Sequence, residues 1–435
     1  MPNKLILILA LIFLLGCSKD ESVDLSNYKN IFQPKNEISF VNKEDRENSK
    51  LENLSNLQEI LNSKSYNSIN SKINFPFKKK WQIDTDQNID DKNPYLPDPL
   101  YFASYIYLIN TNGYLYKINS EDGKLVWKKQ IFNNLEDTIV GTPAITGIKN
   151  KNNTVTLYAH NGSRELLAIN GVDGTIIWEK KNELPFRGGI TSYKNYLFVS
   201  DFDGNFLSIN NRNGKLLWNV FLGSEYNSVY TTARPLVVKN KVIVPGTGGT
   251  FFVIAINTGE VLWSENISSN KHLPMLFHSG DIVANPLYYK GKLFLVSQSG
   301  FTAAFDLKTA KKLWDIPIGG FETPTISGKT IFIMGNLGLL VAVEIDTGKL
   351  RWQKQYPSYL NEKSFFSEKE ISVYKGPSLV DSKLLITNQK GIISIVNANN
   401  GSEIDTFKID EMSIPPIPVD GNLLFLTAKG SLLAF

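Results

Sequence analysis

A chain of 435 residues is longer than one compact core usually supports, so several domains or internal repetition must organise it. Its formal net charge is only +4, shared between 46 basic and 42 acidic side chains, a balance that does not suggest a nucleic-acid binder. A single cysteine, Cys17, excludes an intrachain disulfide and a multi-cysteine metal site, and the three histidines (His160, His272, His278) are too scattered for a metal cluster.

The N-terminus explains the lone cysteine. Lys4 precedes an apolar run from Leu5 to Leu15, the pattern of a signal peptide. The run is shorter than the roughly 20 residues that span a bilayer. Leu14-Leu15-Gly16-Cys17 then matches the bacterial lipobox. The expectation is a signal peptide over 1–16 and a lipidated Cys17 whose acyl chains anchor the protein to a membrane. Ser18, rather than Asp, follows the cysteine and resembles the sorting signal for the outer membrane. Residues 17–73 are expected to be a flexible polar tether; within it Leu51, Leu54, Leu57, Ile60 and Leu61 fall at near-helical spacing.

From residue 74 to 435 one sentence recurs. Gly113, Gly249, Gly300 and Gly338 each stand 14 residues before a Trp, namely Trp127, Trp263, Trp314 and Trp352. Gly204 stands in the same relation to Trp218, and all seven Trp residues belong to the series. A second Gly stands four before the Trp in five copies: Gly123, Gly174, Gly214, Gly259 and Gly348. Between these marks lie short apolar strands, four per unit of roughly 40–50 residues, the signature of a propeller blade. The glycines fit hairpin turns needing positive φ, and a Trp at one place per blade suits packing into the next blade.

The first Trp, Trp81, lies on an orphan strand with no unit before it, while the last unit ends one strand short after Gly430. The predicted fold is therefore all-β: an eight-bladed β-propeller of four-stranded antiparallel blades, the last closed by the N-terminal strand. In the eighth Trp slot stands Asp405, and Phe407 on the same strand face is expected to take over its packing. Blade two is expected to have a longer turn at Gly162, and in blade five Ala310 replaces the second Gly.

No nucleophile elbow, phosphate loop or zinc-protease motif stands in the chain. Asp201-Phe202-Asp203-Gly204-Asn205 resembles a Ca²⁺ loop superficially, but it coincides with the turn that every blade has and lacks the distant bidentate Glu. Ile345-Asp346-Thr347-Gly348-Lys349-Leu350-Arg351-Trp352 resembles the repeat of pyrroloquinoline-quinone-type propellers. That resemblance raises a quinone-dependent periplasmic dehydrogenase as an alternative, yet the adjacent Cys pair common in such enzymes is absent. A propeller for an unrelated periplasmic peptide or glycan is a third reading.

A lipoprotein carrying about eight such blades resembles the BamB family of the bacterial outer-membrane β-barrel assembly machinery. The resemblance implies a non-enzymatic scaffold without cofactor or metal. It also implies a monomeric propeller within a complex, on the periplasmic side of the outer membrane, binding the periplasmic domains of BamA. The family's contact loop, Leu-x-Leu-Arg-Gly-like, matches Leu184-Pro185-Phe186-Arg187-Gly188, six residues past Trp178. Its acidic loop, with Asp-x-Asp before an inner strand, aligns with Asp281-Ile282-Val283; Asp281 matches and Val283 replaces the second acid. The implied partner-binding residues are Leu184, Phe186, Arg187 and Asp281, where an Arg beside apolar side chains suits a binding hot spot.

Overall fold

The computed structural model describes residues 76–86, 98–110, 112–132, 142–223, 233–267, 280–298, 300–359, 371–409, 414–419 and 421–435. Cys17, the signal peptide, the tether, His272 and His278 lie outside the described residues. The described strands form eight four-stranded antiparallel sheets. In seven of them the strands follow chain order, from Leu100–Gln130 in blade one to Tyr374–Lys408 in blade seven. In blade eight the order is Trp81–Asp84, Ser431–Ala434, Asn422–Leu426, Ile417–Val419, so the N-terminal strand supplies the missing outer strand. Trp81 pairs with Ala434 and Asp84 with Ser431, and this closure uses up an edge that an open array would expose.

One blade alone cannot bury both of its faces. The eight apolar clusters each join two neighbouring blades, including Ile106 and Leu108 of blade one with Ile417 and Leu424 of blade eight. Second and third strands are buried throughout, as in Tyr196–Asp201 and Asn205–Asn210, whereas outer strands such as Leu216–Phe221 are mostly exposed. In each of blades one to seven the register between third and outer strand slips near the Trp slot, as between Ser208 and Ile209. This bulge leaves two residues such as Leu216 and Leu217 outside and turns Trp218 towards the next blade.

Blade seven has Asp405 opposite Ile395, the register that Trp352 occupies opposite Ala342 in blade six. Phe407 takes over the packing: its ring lies 4.6 Å from Phe77, 6.1 Å from Phe425 and 6.0 Å from Phe435. Ala310 adopts a φ of 59°, so the blade-five turn keeps the left-handed conformation despite its side chain.

The fold has two distinguishable ends. Connectors between blades lead into the inner strands at one end, here the mouth face. Turns joining inner to second strands, and third to outer strands, lie at the other, here the hairpin face.

Candidate functional site, a charged mouth at the inner strands

Each inner strand is entered through a short repeated motif, often X-Pro: Asp98-Pro99, Thr142-Pro143, Arg234-Pro235, Asn285-Pro286 and Thr323-Pro324. The residue before proline is steered into extended backbone, which presents X at the strand's start. These positions are laced together around the ring. The Arg234 backbone N–H donates to Asn285 Oδ1 at 2.8 Å, and the Asn285 N–H donates to Thr323 Oγ1 at 3.0 Å. Blade three has Gly189 in this slot, and a Cβ there would stand 2.5 Å from Arg234 Cα, so only glycine lets the two strands approach this closely.

Arg187 and Asp281, 94 residues apart in sequence, meet at this mouth. The guanidinium Nη2 donates to Asp281 Oδ2 at 3.3 Å, and the two side chains are only 4% and 3% exposed. Asp281 Oδ1 also accepts the Gly248 N–H at 2.9 Å, while its carbonyl accepts the Gln298 N–H. One carboxylate thus ties blade three, blade four and blade five together. Burial pushes the Arg187 guanidinium below its ordinary value, and the Asp281 charge opposes that shift. Breaking such a buried pair from one side usually costs about 3–5 kcal/mol.

The contact loop divides in two. Phe186 is fully buried between blades two and three, its ring 5.6 Å from His160, so it packs as core. Leu184 is half-buried, and its carbonyl accepts the Asn182 amide. Phe202, also half-buried, lies 5.9 Å from the Arg187 guanidinium and donates its N–H to Pro185 O. Leu184 and Phe202 therefore leave apolar surface beside a charge pair whose own atoms face each other. His160 Nε2 donates to Gly188 O at 3.0 Å while Nδ1 accepts the Gly162 N–H, a neutral tautomer. Desolvation lowers its pKa to about 4. Asp201, in the Ca²⁺-like stretch, has its carboxylate taken by Asp203, Asn205 N–H and the Asn205 amide, so it shapes its own turn.

A second ion pair sits on the other side of the mouth: Lys375 Nζ to Glu322 Oε1 at 2.8 Å, joining blade seven to the blade-six connector. Asp98 titrates above the ordinary carboxylate range through desolvation, partly offset by Arg234, with the Glu322 charge raising it further. Sequence reasoning singled out Arg187 and Asp281 but missed Asp98, Arg234, Glu322 and Lys375. All four stand at or next to the residue before an inner-strand proline, a repeated slot that would have found them: Asp98 and Arg234 in it, Glu322 beside Thr323 and Lys375 beside Gly376.

These features define a class: a closed ring of quinoprotein-type repeats with a cross-braced, charged mouth. The family model described as outer membrane protein assembly factor BamB matches residues 111–354 and 323–435, and the chain belongs to that family. Among its relatives are the outer membrane protein assembly factors BamB of Yersinia pestis and Escherichia coli. The first is 18% identical over 82% of this chain and 88% of its own length; the second is 20% identical over 77% and 82%. The crystal structure of BamB from Moraxella catarrhalis superposes with a TM-score of 0.67 at 17% identity, covering 82% of this chain and 98% of that one.

Proposed function

We propose that this propeller is a non-enzymatic scaffold lipoprotein of the outer-membrane β-barrel assembly machinery. It is anchored through Cys17 on the periplasmic side of the outer membrane and docks on the periplasmic domains of BamA. Leu184, Phe186, Arg187 and Asp281 form the docking site. The observation that carries this reading is the Arg187–Asp281 pair, which brings the two loops that the family resemblance singles out to one place on the mouth face.

The burial of three of the four residues supports different tasks for them. Leu184 touches the partner, Phe186 holds the loop on the core, and the ion pair fixes the spacing of the two loops. Co-purification with the periplasmic domains of the barrel-forming subunit tests this. Leu184→Asp is expected to weaken capture at least roughly tenfold at unchanged melting temperature, the scale of one hot-spot side chain. Unchanged capture by that variant removes the site, and no capture by the wild-type chain removes the function.

A further inference from the structure

The near-neutral net charge of +4 conceals a segregation that only the fold displays. The turns joining inner to second strands lie on the hairpin face. In five consecutive blades, two to six, each carries an exposed lysine: Lys149 and Lys151, Lys194, Lys239, Lys290 and Lys329. No acidic residue stands at any of these five tips. The arc ends in blade one at Ala103-Ser104 and in blade seven at Asp381, which pairs with Lys383 at 3.2 Å. Third-to-outer turns on the same face carry acids as well: Asp122 pairs with Lys124 and Asp346 with Lys292, while Glu121, Asp173 and Glu260 are exposed, so the uninterrupted basic arc is that of the inner-hairpin tips.

Local backbone preference does not account for these lysines. Lys194, Lys239 and Lys290 adopt φ values of 51°, 56° and 48°, the left-handed region that Gly and Asn occupy at least cost. Three blades place a lysine where a turn prefers another residue, and strain of this kind points to use.

The same face receives the chain. Trp81 pairs with Ala434, at the hairpin-face end of its strand, and Lys80 Nζ donates to Asn422 Oδ1 and to Gly421 O in the blade-eight hairpin. Lys78 and Lys79, both exposed, stand beside it. The segment leading back to Cys17 therefore starts from the basic end of the ring.

We propose that the hairpin face is an electrostatic docking surface for an anionic lipid bilayer. A lysine ammonium is a compact, strongly hydrated point charge suited to delocalised attraction, whereas reading a shaped acidic partner favours the arginine fork. Lysines spaced one per blade over a ring match a surface of headgroup phosphates better than a pocketed ligand. Each lysine near an anionic membrane strengthens binding by roughly fivefold. The inference uses the face opposite the docking site and borrows from the proposed function only the anchor at Cys17.

The test removes that anchor. The chain from residue 17 onward, carrying Cys17→Ser, is sedimented with phosphatidylcholine vesicles, with and without about one-third phosphatidylglycerol, at roughly 0.05 M and 0.5 M salt. The expected result is capture by the anionic vesicles alone, lost at high salt. Lys194→Asn, Lys239→Asn and Lys290→Asn together with Lys329→Gln are expected to weaken capture by roughly several hundredfold. Asn suits left-handed backbone at least as well as Lys, so an unchanged melting temperature accompanies the loss. Equal capture by neutral vesicles, or undiminished capture by the lysine variant, overturns the proposal. So does binding to acidic proteins without any binding to anionic vesicles. None of these results depends on capture by BamA domains.

Discussion

The junction of blades three and four and the junction of blades four and five use the same parts and finish differently. Trp218 packs 5.9 Å from Phe198 and 5.8 Å from Phe206, against the Gly259 turn of the next blade, and its indole N–H donates to Ile256 O at 2.8 Å. Trp263 packs 5.3 Å from Phe251 and 6.0 Å from Phe305, but its indole nitrogen has no hydrogen-bond partner among the described residues. The corresponding carbonyl, Leu307 O, accepts Lys241 Nζ at 3.1 Å, and the glycine slot holds Ala310. The same competition recurs elsewhere. Asn422 takes Ser120 O and the Trp81 indole has no partner among the described residues; Tyr107 takes Gly171 O and Trp127 shifts to Val172 O. Where a Trp fills the slot, ring packing on the neighbouring blade is the constant of a junction, and the hydrogen bond is the variable.

Truncation separates the two terms. Trp218→Ala is expected to cost about 4 kcal/mol from lost packing and the lost hydrogen bond. Trp263→Ala is expected to cost about 1 kcal/mol less, because no bond is broken there and a buried unsatisfied donor is removed. Denaturant midpoints of the two variants check this. Equal losses would mean that packing alone holds both junctions.

The junction of blades two and three adds a clamp on the mouth face, and its histidine makes it sensitive to pH. His160 has a folded pKa of about 4 against an ordinary 6.5. Between those values the unfolded chain binds a proton that the folded chain refuses. The contribution of His160 is therefore fully present above pH 6.5 and is lost as pH drops towards 4, by up to about 1.4 kcal/mol per unit. Melting curves across that window should show the slope, and His160→Gln should flatten it. An unchanged slope in the variant would mean that groups other than His160 set the acid sensitivity.

The number of junctions was legible in the sequence because each is marked by a local pair, a Gly turn and a Trp at fixed spacing. Ring closure was legible for the same reason, since Trp81 had a mark but no blade. Even the exception at Asp405 could be repaired, because Phe407 shares its strand face. The mouth was legible only in fragments. Arg187 and Asp281 were named separately, but their pairing depends on two blades brought together across a third, and no periodicity encodes that. The burial of Phe186 was hidden for a similar reason: the residue opens the inner strand of blade three, and its ring becomes core only when His160 of the preceding blade lies against it. The lysine tips recur at one slot of the inner hairpin, yet the Gly–Trp marks do not index that slot.

The smallest predicted effect is the sharpest test of the junction comparison. Gly259→Ala would place a Cβ 2.9 Å from the Trp218 ring at a φ of 76°, so both contact and backbone oppose it, and a loss of about 2 kcal/mol is expected. The reverse change, Ala310→Gly, pits two terms against each other. Removing a Cβ from a φ of 59° relieves about 1–2 kcal/mol of left-handed strain, while the added freedom of the unfolded chain costs about 0.4–1 kcal/mol. The net expectation is a gain of roughly 0.5 kcal/mol. Adding Lys241→Met frees Leu307 O, and the Trp263 indole can then close the bond its counterparts make, for about 1 kcal/mol more. Denaturant midpoints that rise in that order support a single junction design with two local departures. A fall on Ala310→Gly would mean that blade five has repacked around its alanine and follows a design of its own.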